Sequence, residues 1–226
     1  MPPAEIARVL EPATRDAWDK MVDILPSGAY LVGGTGLAVH LAHRVSRDLD
    51  FYLAARVDLD ALQRRLEGAG RFVTLAYDDE RLQTLNGVLD GTKVQFLDAR
   101  EQTMVDEIMD AGGLPVAGMG DLLATKLNVL MHRPALRDYY DLQVIEERAH
   151  RYVEEGLALA LARYRPRARD QYIRTVLQCL ASFADVEDEP QLRTLDGRRV
   201  SRGTVERYWR ARLPVIVRSL DSGEII

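Results

Sequence analysis

Asp48 and Asp50 stand one residue apart in Asp48-Leu49-Asp50-Phe51, downstream of a Gly33-Gly34-Thr35 turn. In a strand, side chains two apart point to the same face, so these carboxylates project together, about 6–7 Å apart along the chain. Such a pair suits Mg²⁺, a hard cation that prefers carboxylate oxygens and substrate phosphates. Leu49 and Phe51 alternate with the acids, which reads as a half-buried strand rather than a charged edge facing water. Gly33-Gly34-Thr35 lies between an apolar run, Ala29 to Val32, and a segment with Leu37, Val39 and Leu41 apolar. Glycines let backbone N–H groups approach a phosphate closely, and a helix N-terminus favours the anion. Alone, a Gly-Gly pair is a plain strand-to-helix turn. Followed by one helix and two carboxylates, it reads as half of a metal–triphosphate site.

A second set lies downstream. Lys126 sits among Leu122, Leu123, Leu127 and Leu130, and it is the last lysine in the chain. An ammonium there can meet a triphosphate as a point charge, or simply snorkel to the surface. Asp138 and Asp141 are three apart and share a helix face. They suit a general base, or groups that orient Lys126 and Arg133; Asp138 also suits a helix N-terminus as a plain dipole partner. His40, His43, His132 and His150 show no zinc-ligand spacing, and no Ser-His-Asp or Cys-His set stands out.

The elements that must position these groups follow from patterning. Thr14 is the expected N-cap of a helix carrying Trp18, Met21, Val22 and Leu25. A short strand over 29–32, a helix over 36–43 and a strand over 48–53 come next, then a helix over 59–66 capped by Asp58. Residues 71–77, 81–89 and 92–98 read as strands, with Asp90-Gly91 as a two-residue hairpin turn. Beyond about residue 102 the chain reads as helical, with Asp121 as an N-cap and Pro134 as an interruption. Further helices are expected over 139–149, 153–163, 168–183 and 204–219. The fold class is α+β, a small mixed sheet followed by a helical C-terminal part. The expected division is 1–110 for the core and 111–226 for a helical domain that completes the active site.

Composition narrows the class. The 226 residues are 47% hydrophobic and 29% charged, ordinary for a globular protein. No apolar run reaches the ~18–20 residues of a membrane helix, the first residues lack a signal-peptide core, and the single cysteine, Cys179, fits a reducing compartment. Cytoplasmic localisation is the expectation, with a monomer as the default. Residues 1–150 carry 16 Lys and Arg against 24 Asp and Glu, whereas 151–226 carry 14 Arg, no Lys and 11 acids. An arginine-only segment suits phosphate partners, although on charge alone a solvated helix surface is the better reading.

The string LVGGTGLAVHLAHRVSRDLDFYL resembles the first motif of the AbiEii/AbiGii toxin family of nucleotidyltransferases: Gly-Gly-Thr, a helix, Arg-x-Ser, then an Asp-apolar-Asp strand. DLLATKLNVLMHRPALRDYYDL resembles its second motif, and the two matches span roughly residues 29–145. The resemblance implies a DNA polymerase β-like nucleotidyltransferase fold and transfer of a nucleoside monophosphate from an NTP to an acceptor. It implies Mg²⁺ on Asp48 and Asp50, and nucleotide contacts from Gly33, Gly34, Thr35, Arg44, Ser46 and Lys126. Asp138 or Asp141 would complete the catalytic group. An RNA acceptor such as tRNA and an AbiEi-like antitoxin are the partners it suggests, through type IV toxin–antitoxin systems. One departure stands out. Polymerase β-like enzymes commonly carry a third carboxylate on a neighbouring strand, where this chain has Gln95 in Lys93-Val94-Gln95-Phe96-Leu97. Two other readings fit the same residues: a small-molecule, antibiotic-type nucleotidyltransferase, and a non-catalytic nucleotide- or partner-binding protein.

Overall fold

The structure is a computed structural model in which residues 2–79 and 81–222 are described. The chain divides into two compact units, Met1–Gly118 and Met119–Ile226. The division falls later than the expected 110/111, since residues 109–110 and 115–116 pair as short strands of the first unit.

The first unit carries helices α1 (Ala4–Ala7), α2 (Pro12–Ile24), α3 (Gly33–Leu41) and α4 (Leu59–Ala69). Its strands are β1 (Ala29–Val32), β2 (Asp48–Leu53), β3 (Phe72–Asp78), β4 (Thr84–Leu89), β5 (Thr92–Asp98), β6 (Met109–Asp110) and β7 (Pro115–Val116). All seven join one sheet in the order β3-β4-β5-β2-β1-β7-β6. The sheet is mixed, as expected: β2 runs antiparallel to β1 and parallel to β5, and β1 runs parallel to β7. At seven strands it is larger than a small sheet, since β6 and β7 extend one edge.

Alternation decides the faces. Along β2, Leu49, Phe51 and Leu53 are buried while Asp48 is exposed and Asp50 half-buried. Along β5, Val94 and Phe96 are buried while Lys93 and Gln95 are half-buried. Because the strands pair in register, their apolar sets meet, and the rings of Phe51 and Phe96 stack with centroids 5.3 Å apart. Asp58 caps α4, its carboxylate accepting from the Ala61 N–H at 2.8 Å. Asp90 and Gly91 turn the β4–β5 hairpin with φ of 48° and 92°, the positive values that an Asp-Gly turn supplies.

Thr14 departs from its expected place. The helix already starts at Pro12, and the buried Thr14 hydroxyl donates to the Arg47 carbonyl at 3.0 Å. The same N-terminal segment continues this attachment, since the Ser46 N–H donates to the Val9 carbonyl at 2.8 Å. The start of the chain therefore holds the loop that leads into β2.

The second unit is helical: α5 (Met119–Leu130), α6 (Leu136–Val144), α7 (Val153–Tyr164), α8 (Arg169–Ala181) and α9 (Arg202–Asp221). The expected helix over 139–149 is α6 followed by one π turn, Ile145–Ala149, which ends at His150 with φ 52°. The turn has a local purpose. It places Glu146 so that one carboxylate oxygen accepts from the Val153 N–H at 2.9 Å, capping α7, while the other accepts from Tyr208 and Arg212. Asp121 is also reassigned, from an N-cap to a buried residue in the first turn of α5 that is ion-paired with the fully buried Arg163.

Candidate active site

In the first unit the site is built around the start of α3. Gly33, Gly34 and Thr35 form the helix's own first turn rather than a loop before it, and Val32 provides no capping side chain. First-turn N–H groups without a cap, together with the helix dipole, favour an anion. The two glycines are there for distinct neighbours. A Cβ on Gly33, whose φ is 69°, would lie 2.5 Å from Asp50 Oδ2. A Cβ on Gly34 would lie 2.3 Å from an Arg44 guanidinium nitrogen. The Gly-Gly pair thus admits the carboxylate of the Asp-x-Asp strand on one side and the arginine of the Arg-x-Ser on the other.

Thr35 and Ser46 are wired inward. Both are buried, and the Thr35 hydroxyl lies 2.7 Å from Ser46 Oγ and also bonds the Asp48 carbonyl. Their side chains tie the helix start to the beginning of β2, so what Thr35 offers a phosphate is its backbone amide. This wiring explains why glycine, threonine, arginine, serine and the two aspartates occur as one string: each part fixes the place of another.

Asp48 and Asp50 share one sheet face as their spacing required. Two hard oxygen donors side by side, one exposed and one admitted by Gly33, fit a divalent cation such as Mg²⁺. The register settles what stands beside them: Lys93 is paired with Asp48, and Gln95 with Asp50. Gln95 therefore occupies the neighbouring-strand place in question, and Asn86 of β4 is paired with it in turn. Asp98 does not substitute. It pairs with Leu53, and the Arg100 guanidinium at 2.8 Å holds its carboxyl below the usual carboxylate range. Among the described residues no group of three or more His, Cys, Asp or Glu side chains could hold a metal ion. Lys93 was not expected at the site; alternation marks its face, but only the parallel pairing of β2 and β5 reveals its neighbour.

In the second unit, Lys126, Asp138 and Asp141 come together. Lys126 Nζ lies 2.6 Å from Asp138 Oδ1 and 2.7 Å from Asp141 Oδ2, with all three residues buried. Lys126 is therefore a fixed, doubly paired charge and not a snorkelling one, since a buried ammonium needs such partners. Arg133 is exposed. Of the histidines, His43 is buried, and His40 Nε2 lies 2.9 Å from the Ala117 carbonyl.

An uncapped helix start beside a two-carboxylate strand, on a mixed sheet followed by a helical unit, is the arrangement that the sequence resemblance implies for a nucleotidyltransferase. The chain belongs to the family described as nucleotidyl transferase AbiEii toxin, type IV toxin–antitoxin system, which it matches over residues 22–222. It is 27% identical over 186 residues to the Aquifex aeolicus (strain VF5) protein aq_aa25, covering 80% of this chain and 87% of that one. Its fold is similar to MenT4, nucleotidyltransferase toxin Rv2826c from Mycobacterium tuberculosis H37Rv. The TM-score is 0.56 at 18% identity, over 95% of this chain and 86% of the other. A candidate nucleotidyltransferase from H. pylori gives a TM-score of 0.51 at 16% identity, over 98% of both chains. These structural likenesses bear on fold; family membership carries the activity class.

Proposed function

We propose that the protein transfers a nucleoside monophosphate from an NTP to an RNA end, tRNA included, with Mg²⁺ held by Asp48 and Asp50. The observation that carries this reading is the contact of Asp50 with Gly33, which sets a metal-type carboxylate against an anion-type helix start. When bound, the ion supplies positive charge to the attacking and leaving oxygens. The chain's own groups do the rest. Backbone amides of Gly33, Gly34 and Thr35 hold phosphate oxygens, Arg44 adds a guanidinium, and Ser46 keeps Thr35 in place. Lys126 serves the nucleotide as a fixed charge. Asp138 and Asp141 either take the proton of the incoming hydroxyl or orient Lys126, and their two short contacts to its ammonium support the second role.

The acceptor reading rests on the arginines of the second unit. Several are occupied within it: Arg163 with Asp121, Arg212 with Glu146 and Glu154, Arg199 with Asp188, and Arg210 with Glu206. Arg165, Arg167 and Arg169, which join α7 to α8, are exposed. Three guanidinium groups on so short a segment suit a phosphate backbone. No helix among the described residues is long and apolar enough to cross a membrane. A cytoplasmic toxin, acting as a monomer and restrained by an AbiEi-like antitoxin, fits the family.

Incubating the protein with each α-labelled NTP and total tRNA tests the reading, with an aminoglycoside panel in parallel. Label on RNA that disappears in Asp48→Asn is the expected result. Label on a small molecule and none on RNA would replace the acceptor. No label on any acceptor, with NTP binding intact, would favour the non-catalytic alternative that Gln95 raises.

A further inference from the structure

We propose that this site takes up a single divalent cation, and only as its complex with a nucleoside triphosphate, because Lys93 and Gln95 replace the charge that would hold the bare ion. The inference rests on Asp48 and Asp50 being the metal-binding pair. Residues paired across adjacent strands share a sheet face and stand about 5 Å apart. Asp48 and Lys93 form one such pair, Asp50 and Gln95 the next, and the buried Leu49–Val94 and Phe51–Phe96 pairs between and beyond them fix which face that is. Two carboxylates and one ammonium leave a formal charge of -1 on this part of the face. Gln95 adds a neutral amide oxygen. Beyond it in the same row is Asn86, whose Oδ1 is a buried acceptor with no hydrogen-bond partner in the structure.

The chemistry of Mg²⁺ makes the consequence specific. The ion dehydrates reluctantly and is commonly held by one or two carboxylates together with substrate phosphates rather than by an all-protein cage. On this face a bare cation meets two carboxylates and the repulsion of Lys93. A cation–triphosphate complex brings its own phosphate ligands, and its net negative charge turns the same lysine into an attraction. Lys93 is thereby a discriminating residue that favours the complex over the free ion. Gln95 is a neutral ligand or hydrogen-bond donor that limits the site to one ion.

Mn²⁺ titration of the full chain, followed by electron paramagnetic resonance, separates the outcomes. It is run with and without the α,β-methylene analogues of the four NTPs. Wild type is expected to bind one Mn²⁺ per chain with an analogue present, and at least tenfold more weakly without one. Gln95→Glu is expected to tighten binding of bare Mn²⁺ at least tenfold. Lys93→Met is expected to tighten bare Mn²⁺ while weakening the complex. Tight binding of bare Mn²⁺ by wild type, or two ions with an analogue, would overturn the proposal. So would unchanged bare-ion affinity in Lys93→Met, a half-buried site that carries the test if Gln95→Glu does not fold. The underlying reading fails separately, if Asp48→Asn binds the complex as well as wild type does.

Discussion

Asp48 and Asp141 are both aspartates proposed for the same reaction, yet their surroundings set different costs. Asp48 is exposed on the sheet face. Asp141 is fully buried and paired with Lys126 at 2.7 Å. Asp48→Asn is expected to lower nucleotidyl transfer by two or more orders of magnitude, the scale of losing one preorganised charge, with an unchanged melting temperature. Asp141→Asn should cost about 1.5–3 kcal/mol of stability, because the buried ammonium loses one of its two charged partners and keeps Asp138; urea unfolding of the two variants checks the contrast. Cys179 gives a second prediction at this scale. Burial pushes its thiol above the ordinary value, so the thiolate forms at higher pH than in a free thiol. Alkylation by iodoacetamide at pH 8 should then be slower in the native protein than in urea, and the native rate should rise at a higher pH than the unfolded one.

Helices in this chain are set by what they approach. Helix α3 ends at Ala42, which stands in the left-handed region with φ 47° and donates its N–H to the Ala38 carbonyl at 2.9 Å. A Cβ disfavours that conformation, and glycine does not. Ala42→Gly should therefore raise stability by about 1 kcal/mol, measurable as a higher melting temperature with activity retained. Gly156 works the other way. A Cβ there would lie 2.7 Å from Leu123 Cγ and 2.8 Å from Leu127 Cδ1, so α5 and α7 pack across the missing side chain. Gly156→Ala should cost about 1–3 kcal/mol through overpacking. Since α5 also carries Lys126, that variant links packing of the second unit to the placing of its buried charge.

At the scale of the molecule the charge is unequal, with the arginine-only stretch after residue 150 set against an acidic first part. Two of those arginines are structural: Arg163 and Arg212 are held in ion pairs within the helices. Arg165, Arg167 and Arg169, proposed for RNA, are among the arginines that are exposed. Replacing Arg165, Arg167 and Arg169 together with alanine should weaken tRNA binding. It should also reduce the slope of log affinity against log salt by roughly 2–3, about one counterion for each phosphate no longer neutralised. Filter binding from 50 to 300 mM salt measures this. An unchanged slope would place the acceptor elsewhere.

The parts of the site whose geometry is local were legible in the residues alone. Alternation places Asp48 and Asp50 on one face, the capping role of Asp58 lies within its own helix turn, and Asp90-Gly91 supplies positive φ wherever it stands. The family was legible too, because the wiring of Gly33, Gly34, Thr35, Arg44 and Ser46 lies within one short stretch. Whatever depends on partners far along the chain needed the folded arrangement. Thr14 and Asp121 have the residue types of helix caps, but the Arg47 carbonyl and the buried Arg163 claim them instead. Residues 109–116 lack a strong strand pattern and become strands by pairing, Val116 with Leu31 of β1 and with Met109. Lys93 beside Asp48 follows from the parallel register of β2 and β5, which also sets Gln95, placed on a neighbouring strand by the resemblance, beside Asp50. Strand register is set by packing of whole faces and not by any local spacing, so no reading of either strand alone could have shown which charge stands next to the metal-type carboxylates.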